Sequence, residues 1–307
     1  MRCIVRGGPR RRIGSGLRHE PRPTTYPTDS RHGATSASPA WPGCYTGAVT
    51  DSYFQSVGSG LLPFPHAHAP WGEDMLHGRL LGGLAARALE SEHGAAGWRA
   101  ARLTVDLFRP APMALVEIDV RPIRAGRRIK VSDALMRCDG HDVGRATAVF
   151  LAESEEPPGR IWRPRHEPWP DPDSIATSEA GSPDHAGWLF RVVRGGFGTS
   201  EQTRIWTRET TRLVDDEPLS PFVRAALTGD IACPLANSSD HGLQYINADY
   251  TMLIGRYPVG EWVGLEVAQQ IDANGISMGS ATLVDRSGPF ATSGGVSLAR
   301  PSMVTVP

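Results

Sequence analysis

The sequence predicts an α+β chain made of two tandem copies of one unit, each a long helix wrapped by a curved antiparallel β-sheet. Three observations predict it. Leu103–Phe150 and Asp249–Leu298 carry the same succession of strands and turns, offset by 147 residues from Arg109 to Arg256. One apolar-periodic helix precedes each run. A Pro-rich stretch, Glu155–His185, separates the two.

Each repeat begins with an alternating strand that ends in arginine (Arg109, Arg256), followed by proline or a short turn. A long β-rich stretch comes next, VEIDVRPI in one copy and WVGLEVAQQI in the other. A glycine turn (Gly126, Gly275) leads to another strand, and a bend at Asp139-Gly140 or Asp285 to Gly288 leads to the last. Leu76, Leu80, Leu84 and Leu89 fall at helical spacing and predict a first helix over about Asp74–Glu92. The second helix starts near Pro221, a good first-turn residue, with Ser220 as its N-cap and Phe222, Ala225, Ala226 and Ile231 facing inward. Strands at about Tyr53–Phe64, Trp188–Val193 and Arg204–Leu213 precede the helices. The expected organisation is an N-terminal extension over 1–48, a first domain over 49–154, a linker over 155–185, a second domain over 186–301 and a tail over 302–307.

Composition excludes several classes. Of 307 residues, 32 are basic and 33 acidic, a formal net charge of −1 that gives no electrostatic footprint for nucleic acid. No run approaches 18 apolar residues, so no membrane-spanning helix is expected. Cys3, Cys44, Cys138 and Cys233 lie far apart without a C-x-x-C pair or zinc spacing, which disfavours a disulfide scaffold or structural zinc site and fits a reducing cytoplasm; no metal and no cofactor are expected. Lys130 is the only lysine, so Schiff-base chemistry has one candidate. Residues 1–48 hold eight arginines against Glu20 and Asp29, with six prolines and no periodicity. The abrupt change to globular composition at Val49 predicts translation starting there, in a region otherwise expected to be disordered. Intact mass of the native protein tests this; a mass that includes residue 1 overturns it.

With the repeat in view, the sequence resembles the double-hotdog acyl-CoA thioesterases of the acyl-CoA thioesterase II type, over about Val49–Pro301. The first half carries APW (Ala69–Trp71), the His77-Gly78 opening of the helix and FRP (Phe108–Pro110). The second carries GGFG (Gly195–Gly198), YINADYT (Tyr245–Thr251), GEW (Gly260–Trp262) and DRSGP (Asp285–Pro289). The resemblance implies hydrolysis of fatty-acyl thioesters, on CoA or a carrier protein, without a covalent intermediate, and a possible homodimer. It further implies an attacking water held by an Asp in the second helix, a Thr or Asn on the next strand and a Gln on the last strand. Carried over, the Asp falls on Asp230 in RAALTGDIACPL and the Thr/Asn on Asn247, while the Gln position falls on Gly295 or a neighbour in ATSGGVSLA. Glycine cannot orient water, and this departure opens a second reading, a non-catalytic acyl-thioester-binding protein. Ser239-Asp240 is a local rival to Asp230, only seven residues before Asn247.

Elementary chemistry agrees with the assignment. Thioester hydrolysis needs a base, a group that fixes the water, and donors for the developing oxyanion. A carboxylate on an apolar helix is desolvated toward a useful base. An amide both donates and accepts. The helix opening at His77-Gly78 is a candidate oxyanion region, since a helix N-terminus favours negative charge and glycine permits close approach. Other signals read as structural. His66-x-His68 places two imidazoles on one strand face without further ligands. Trp71 and Trp262 read as core before acyl-pocket lining. Gly275-Ile276-Ser277-Met278-Gly279 matches a nucleophile elbow, but it lies in a strand pattern and no histidine follows His241. A hotdog dehydratase wants Asp and His five apart near the helix start, and Asp74 to His77 has the wrong spacing.

Overall fold

The computed structural model describes residues 52–70, 72–175 and 187–300. The expectations for 1–48, the Val49 start, Trp71, the rest of the linker and the tail fall outside these residues. The fold is α+β. Among the described residues, fourteen strands form one sheet: β1 (Ser52–Val57), β2 (Gly60–Pro63), β3 (Trp98–Leu107), β4 (Val116–Ala125), β5 (Ile129–Cys138), β6 (His141–Ala152), β7 (Trp188–Arg194), β8 (Arg204–Glu209), β9 (Arg212–Val214), β10 (Tyr245–Asn247), β11 (Asp249–Ile254), β12 (Val263–Ala273), β13 (Ile276–Asp285) and β14 (Gly288–Ala299). The helices are α1 (Gly78–His93), α2 (Pro221–Gly229) and α3 (Ala232–Ala236).

The strand order is β9-β1-β2-β4-β5-β6-β3-β11-β14-β13-β12-β8-β7, with β10 also on β14. Both halves use one pattern: β1-β2-β4-β5-β6-β3 is matched by β7-β8-β12-β13-β14-β11. Strand starts keep the 147-residue spacing, Trp98 with Tyr245, Val116 with Val263, Ile129 with Ile276 and His141 with Gly288. The halves join where β3 and β11 pair antiparallel, and Thr104 lies opposite Thr251. Their hydroxyls bond at 3.0 Å across the same 147 residues. Equivalent residues face each other there, so the local twofold between the halves passes through this pair, as in an isologous contact.

α1 matches the predicted helix except at its start. Asp74 and Met75 lie in a short strand, Gly72–Leu76, paired to His68–Ala69, and the helix begins at Gly78. His77 sets this boundary, its ring nitrogen accepting from the Arg79 N–H at 3.4 Å. α2 begins at Pro221 with Ser220 Oγ accepting from Val223 N at 3.1 Å. The predicted strand Tyr53–Phe64 is a hairpin turning at Gly58, whose φ of +60° suits glycine. The predicted Arg204–Leu213 strand breaks into β8 and β9, and β9 leaves to pair parallel with β1. His66 lies in a 3-10 turn, Pro65–Ala67, rather than on a strand face. Pro65 explains the turn at His66, since it cannot donate to a ladder.

The helices lie against the sheet's inner face, with Leu80, Leu84 and Leu89 of α1 and Phe222, Ala225 and Ala226 of α2 in one core. α1 and α2 pack side by side, with Gly83 setting their separation and Gly82 the approach of β11. A Cβ at Gly83 would lie 2.6 Å from Leu227 Cδ2, and one at Gly82 would lie 2.2 Å from Tyr250 Oη. Alanine favours a helix interior over glycine by about 1 kcal/mol. Gly82→Ala is nevertheless expected to destabilise the protein by about 1–3 kcal/mol in urea unfolding, because Tyr250 must be displaced. A variant as stable as the parent would refute the close approach.

Candidate active site

Asp230 sits where the second helix breaks. Pro234 has no N–H to give the Asp230 carbonyl, and its ring crowds that carbonyl. The chain tightens instead, with Ile231 N–H on the Thr228 carbonyl at 3.1 Å, and α3 starts afresh at Ala232. Just before the break, Gly229 lies against the sheet: its carbonyl accepts from Ser293 Oγ at 2.7 Å. The break leaves the Asp230 carboxyl buried, at 3% exposure, between helix and sheet.

Asn247 ends β10, and its Nδ2 donates to Asp230 Oδ1 at 2.9 Å. A bulge fixes its position. Ala248 N–H bonds the Val296 carbonyl at 2.9 Å, and Asp249 Oδ1 takes the Val296 N–H at 2.7 Å, so β10 and β11 separate there. The first half supplies the third side. A Cβ at Gly78, the first residue of α1, would lie 4.0 Å from Asp230 Oδ1. The start of α1 thus lies beside the carboxyl, at the end of the helix that carries the positive pole of its dipole.

The structure brings Asp230, Asn247, Gly78 and His77 into one region. His77 acts there as the helix cap, with its ring edge-on to Trp188 at 6.2 Å. Gly295 stands apart in role: a Cβ there would meet the Asp249 carbonyl oxygen at 2.2 Å. Position 295 is a backbone-approach position of the bulge with no room for a glutamine. The rival Asp240 is exposed on the turn between the short strands Ser238–Ser239 and Gly242–Leu243. Ser277 lies within β13, 1% exposed, donating to Asn237 Oδ1 at 2.5 Å. It is a strand residue in a buried polar cluster, not a nucleophile at a strand-to-helix elbow. Trp262 is buried with Trp206 and Val284, its Nε1 donating to Asp173 at 3.2 Å. Cys138 and Cys233 are buried free thiols.

Two participants were not singled out from sequence. Arg79, in the first turn of α1, and Tyr250, on β11, are both buried beside the site. Arginine in a first helical turn opposes the helix dipole, and that misfit was the available signal. Tyr250 donates to the Ala226 carbonyl at 3.1 Å.

Burial pushes the Asp230 carboxyl up to about 6, against the opposing pull of the Asn247 hydrogen bond and the Arg79 charge. Burial, reinforced by Asp230, holds Tyr250 neutral, well above its usual range. An open cleft of about 530 Å3 runs beside α3 and β10, lined by Leu235, Asn237, Tyr245, Val267 and Gln270 among others. Tyr245 is two residues from Asn247 and so shares its strand face. The arrangement offers a base, an amide beside it, a helix N-terminus and a cleft along the same strand.

Solved structures share this fold. A conserved protein with a hot dog fold from Alicyclobacillus acidocaldarius matches with TM-score 0.66 and 17% identity, over 81% of this chain and 96% of that one. A tesB protein of Mycobacterium avium subsp. paratuberculosis matches with TM-score 0.61 and 17% identity, over 81% and 96%. An acyl-CoA thioesterase II, TesB2, from Mycobacterium marinum matches with TM-score 0.54 and 18% identity, over 73% and 90%. The architecture is therefore that of a hotdog-fold protein. No curated protein matches by sequence. The acyl-CoA thioesterase N-terminal domain matches residues 67–151 and the C-terminal domain residues 153–296. The chain belongs to the acyl-CoA thioesterase family.

The raised carboxyl has a consequence for stability. In the unfolded chain Asp230 titrates near 3.8, and in the folded protein near 6. The folded state therefore binds more protons between those values, and its stability falls as pH rises through them. Asp230→Asn removes this penalty while keeping an acceptor for Asn247. The variant should be more stable than the parent by on the order of 3 kcal/mol above pH 7, a difference that vanishes near pH 3–4. Equal stability of the two proteins at pH 8 would refute the raised carboxyl.

Proposed function

We propose that the chain is a double-hotdog acyl-CoA thioesterase-like hydrolase that cleaves fatty-acyl thioesters by base-assisted attack of water. Its first hotdog domain spans 49–154 and its second 186–301, with 155–185 as linker. One observation carries the reading: a buried carboxyl near pKa 6, held by an amide at 2.9 Å, lies against the amide end of a helix from the other half.

Asp230 takes a proton from the attacking water as the water adds to the thioester carbonyl. Asn247 donates to Asp230 and turns its own Oδ1 to the water, fixing its direction of approach. The charge developing on the carbonyl oxygen meets the Gly78 N–H and the positive end of α1. The tetrahedral species collapses with loss of the thiolate, which is protonated as it leaves, and the products are a carboxylic acid and a thiol. Gly78 leaves the backbone accessible because no side chain covers it. The cleft beside Tyr245 and Leu235 supports entry of the thioester, and the substrate partner is an acyl-CoA or an acyl-carrier thioester.

Gly295 supports a second reading, a non-catalytic acyl-thioester-binding protein, since no side chain there can help hold water. Thiol release from a chain-length series of acyl-CoAs separates the two. The hydrolase reading expects turnover that rises through about pH 6 to a plateau, as Asp230 ionises. It also expects a loss of about 10²–10⁴-fold in Asp230→Asn. Binding of acyl-CoA without thiol release at any chain length would move the protein to the second reading.

A further inference from the structure

α1 opens with a buried cation. The Arg79 side chain is 2% exposed, as is that of its partner Glu209. Arg79 Nη1 donates to Glu209 Oε1 at 2.6 Å and Nη2 to Tyr53 Oη at 2.7 Å. The guanidinium lies over the Trp188 ring at 4.2 Å and the Tyr53 ring at 5.3 Å. Tyr53 belongs to β1 of the first half, whereas Glu209 and Trp188 belong to β8 and β7 of the second. The first turn of α1 is thereby tied across both halves, and the residue before Arg79 is Gly78, the one beside Asp230.

As a mere fastener this pair is a poor choice. Two charges removed from water cost more than well-packed apolar side chains of the same volume. Among the described residues, Arg79 Nε and Glu209 Oε2 moreover have no hydrogen-bond partner. What an apolar pair cannot provide is a fixed cation next to a buried carboxylate.

We propose that Arg79 is a positioning residue for the Asp230 site and Glu209 its counter-charge. Arg79 holds the amide end of α1 in place and favours the Asp230 carboxylate, and Glu209 offsets part of that cation so that Asp230 still accepts a proton. The proposal rests on the reading of Asp230 as the base. Asp230 is faced by Asn247 from β10, Tyr250 from β11, Cys233 from α3 and Arg79 at the start of α1, the helix that His77 caps. Burial holds Tyr250 and Cys233 in their neutral forms, and His77 caps the Arg79 N–H. Behind Arg79 stands Glu209, whose carboxyl burial pushes up, against the opposing pull of Arg79 and, more weakly, of Arg224 on α2. The charge of Arg79 on Asp230 agrees with the geometry.

The test is the pH profile of acyl-CoA thiol release by the full chain and three variants. Glu209→Gln leaves the Arg79 cation uncompensated and should move the acid limb down by about one pH unit. Arg79→Met combined with Glu209→Leu removes the cation and should move the limb up by a similar amount. Arg79→Lys keeps the charge but loses the fork, so the limb should stay while kcat falls. A fastener without electrostatic work predicts no displacement, or the same displacement in every variant, and either result overturns the proposal. The same displacement is read without turnover from the pH at which the Asp230→Asn stability difference appears in each background. Glu209→Gln, nearly isosteric, decides alone if the double variant does not fold. Retained turnover in Asp230→Asn defeats the base reading itself. Lost turnover there with an unmoved limb in Glu209→Gln defeats only the role of Arg79 and Glu209.

Discussion

The pairing of β3 with β11 fixes the rest of the molecule. Because Thr104 meets Thr251, the two copies of the unit are related by a local twofold through one hydrogen-bonded contact. A twofold at that place brings the helices of the two halves side by side and antiparallel. The start of one helix then necessarily lies beside the end of the other, and Gly83 lets the two come close. Asp230 from the second half and Gly78 at the start of α1 from the first half meet for this reason. Neither half contains the arrangement by itself.

The twofold would generate a second such end, and the sequence has closed it. Counting ten residues from the helix caps His77 and Ser220, the counterpart of Asp230 is Arg87. Arg87 is held by both carboxylate oxygens of Glu217, at 2.5 Å each. The counterpart of Asn247 at the strand spacing is Ala100, whose N–H is taken by Tyr257 Oη at 2.9 Å. Where α1 begins with accessible Gly78, α2 begins with Pro221, which has no N–H to offer. Ser220 donates to Glu90 across the helix pair, and Phe222 stacks on Tyr257. The same architecture is thus packed shut at one end and left polar at the other.

How far the sequence could be read follows from which forces are local. The repeat was legible because strand alternation and turn glycines recur at a constant spacing, and the structure keeps that spacing in four strand pairs. Ser220-Pro221 marked α2 because capping is a property of neighbouring residues. The start of α1 was drawn four residues early, since Leu76 fits the helical period but pairs in a short strand, and the His77 ring as a cap is an unusual device. Tyr53–Phe64 read as one strand because Gly58-Ser59 is a compact signal inside a continuous β pattern. Asp230 and Asn247 were nameable as residue types suited to the chemistry. The approach of Gly78 and the Arg79–Glu209 pair were not, because Arg79 and Glu209 are 130 residues apart and meet only through the twofold. Gly295 was read as a missing side chain, whereas the structure shows a position where backbone meets backbone.

β9 gives the tandem arrangement a further meaning. This three-residue strand follows β8 of the second half yet pairs parallel with β1 at the outer edge of the first, with Asp215 N–H on the Phe54 carbonyl at 3.0 Å and the Asp215 carboxylate accepting from Ser52 Oγ. Separated copies would lose neighbours: the first would bare β1 and β3, and the second would bare β11. Unpaired strand edges recruit other chains. Covalent tandem linkage therefore acts as protection against misassembly, keeping the complementary edges at high effective concentration from the moment both are synthesised. Evolution of the two halves is correspondingly constrained as a pair, since a change tolerated by one fold must also preserve the edge it presents to the other.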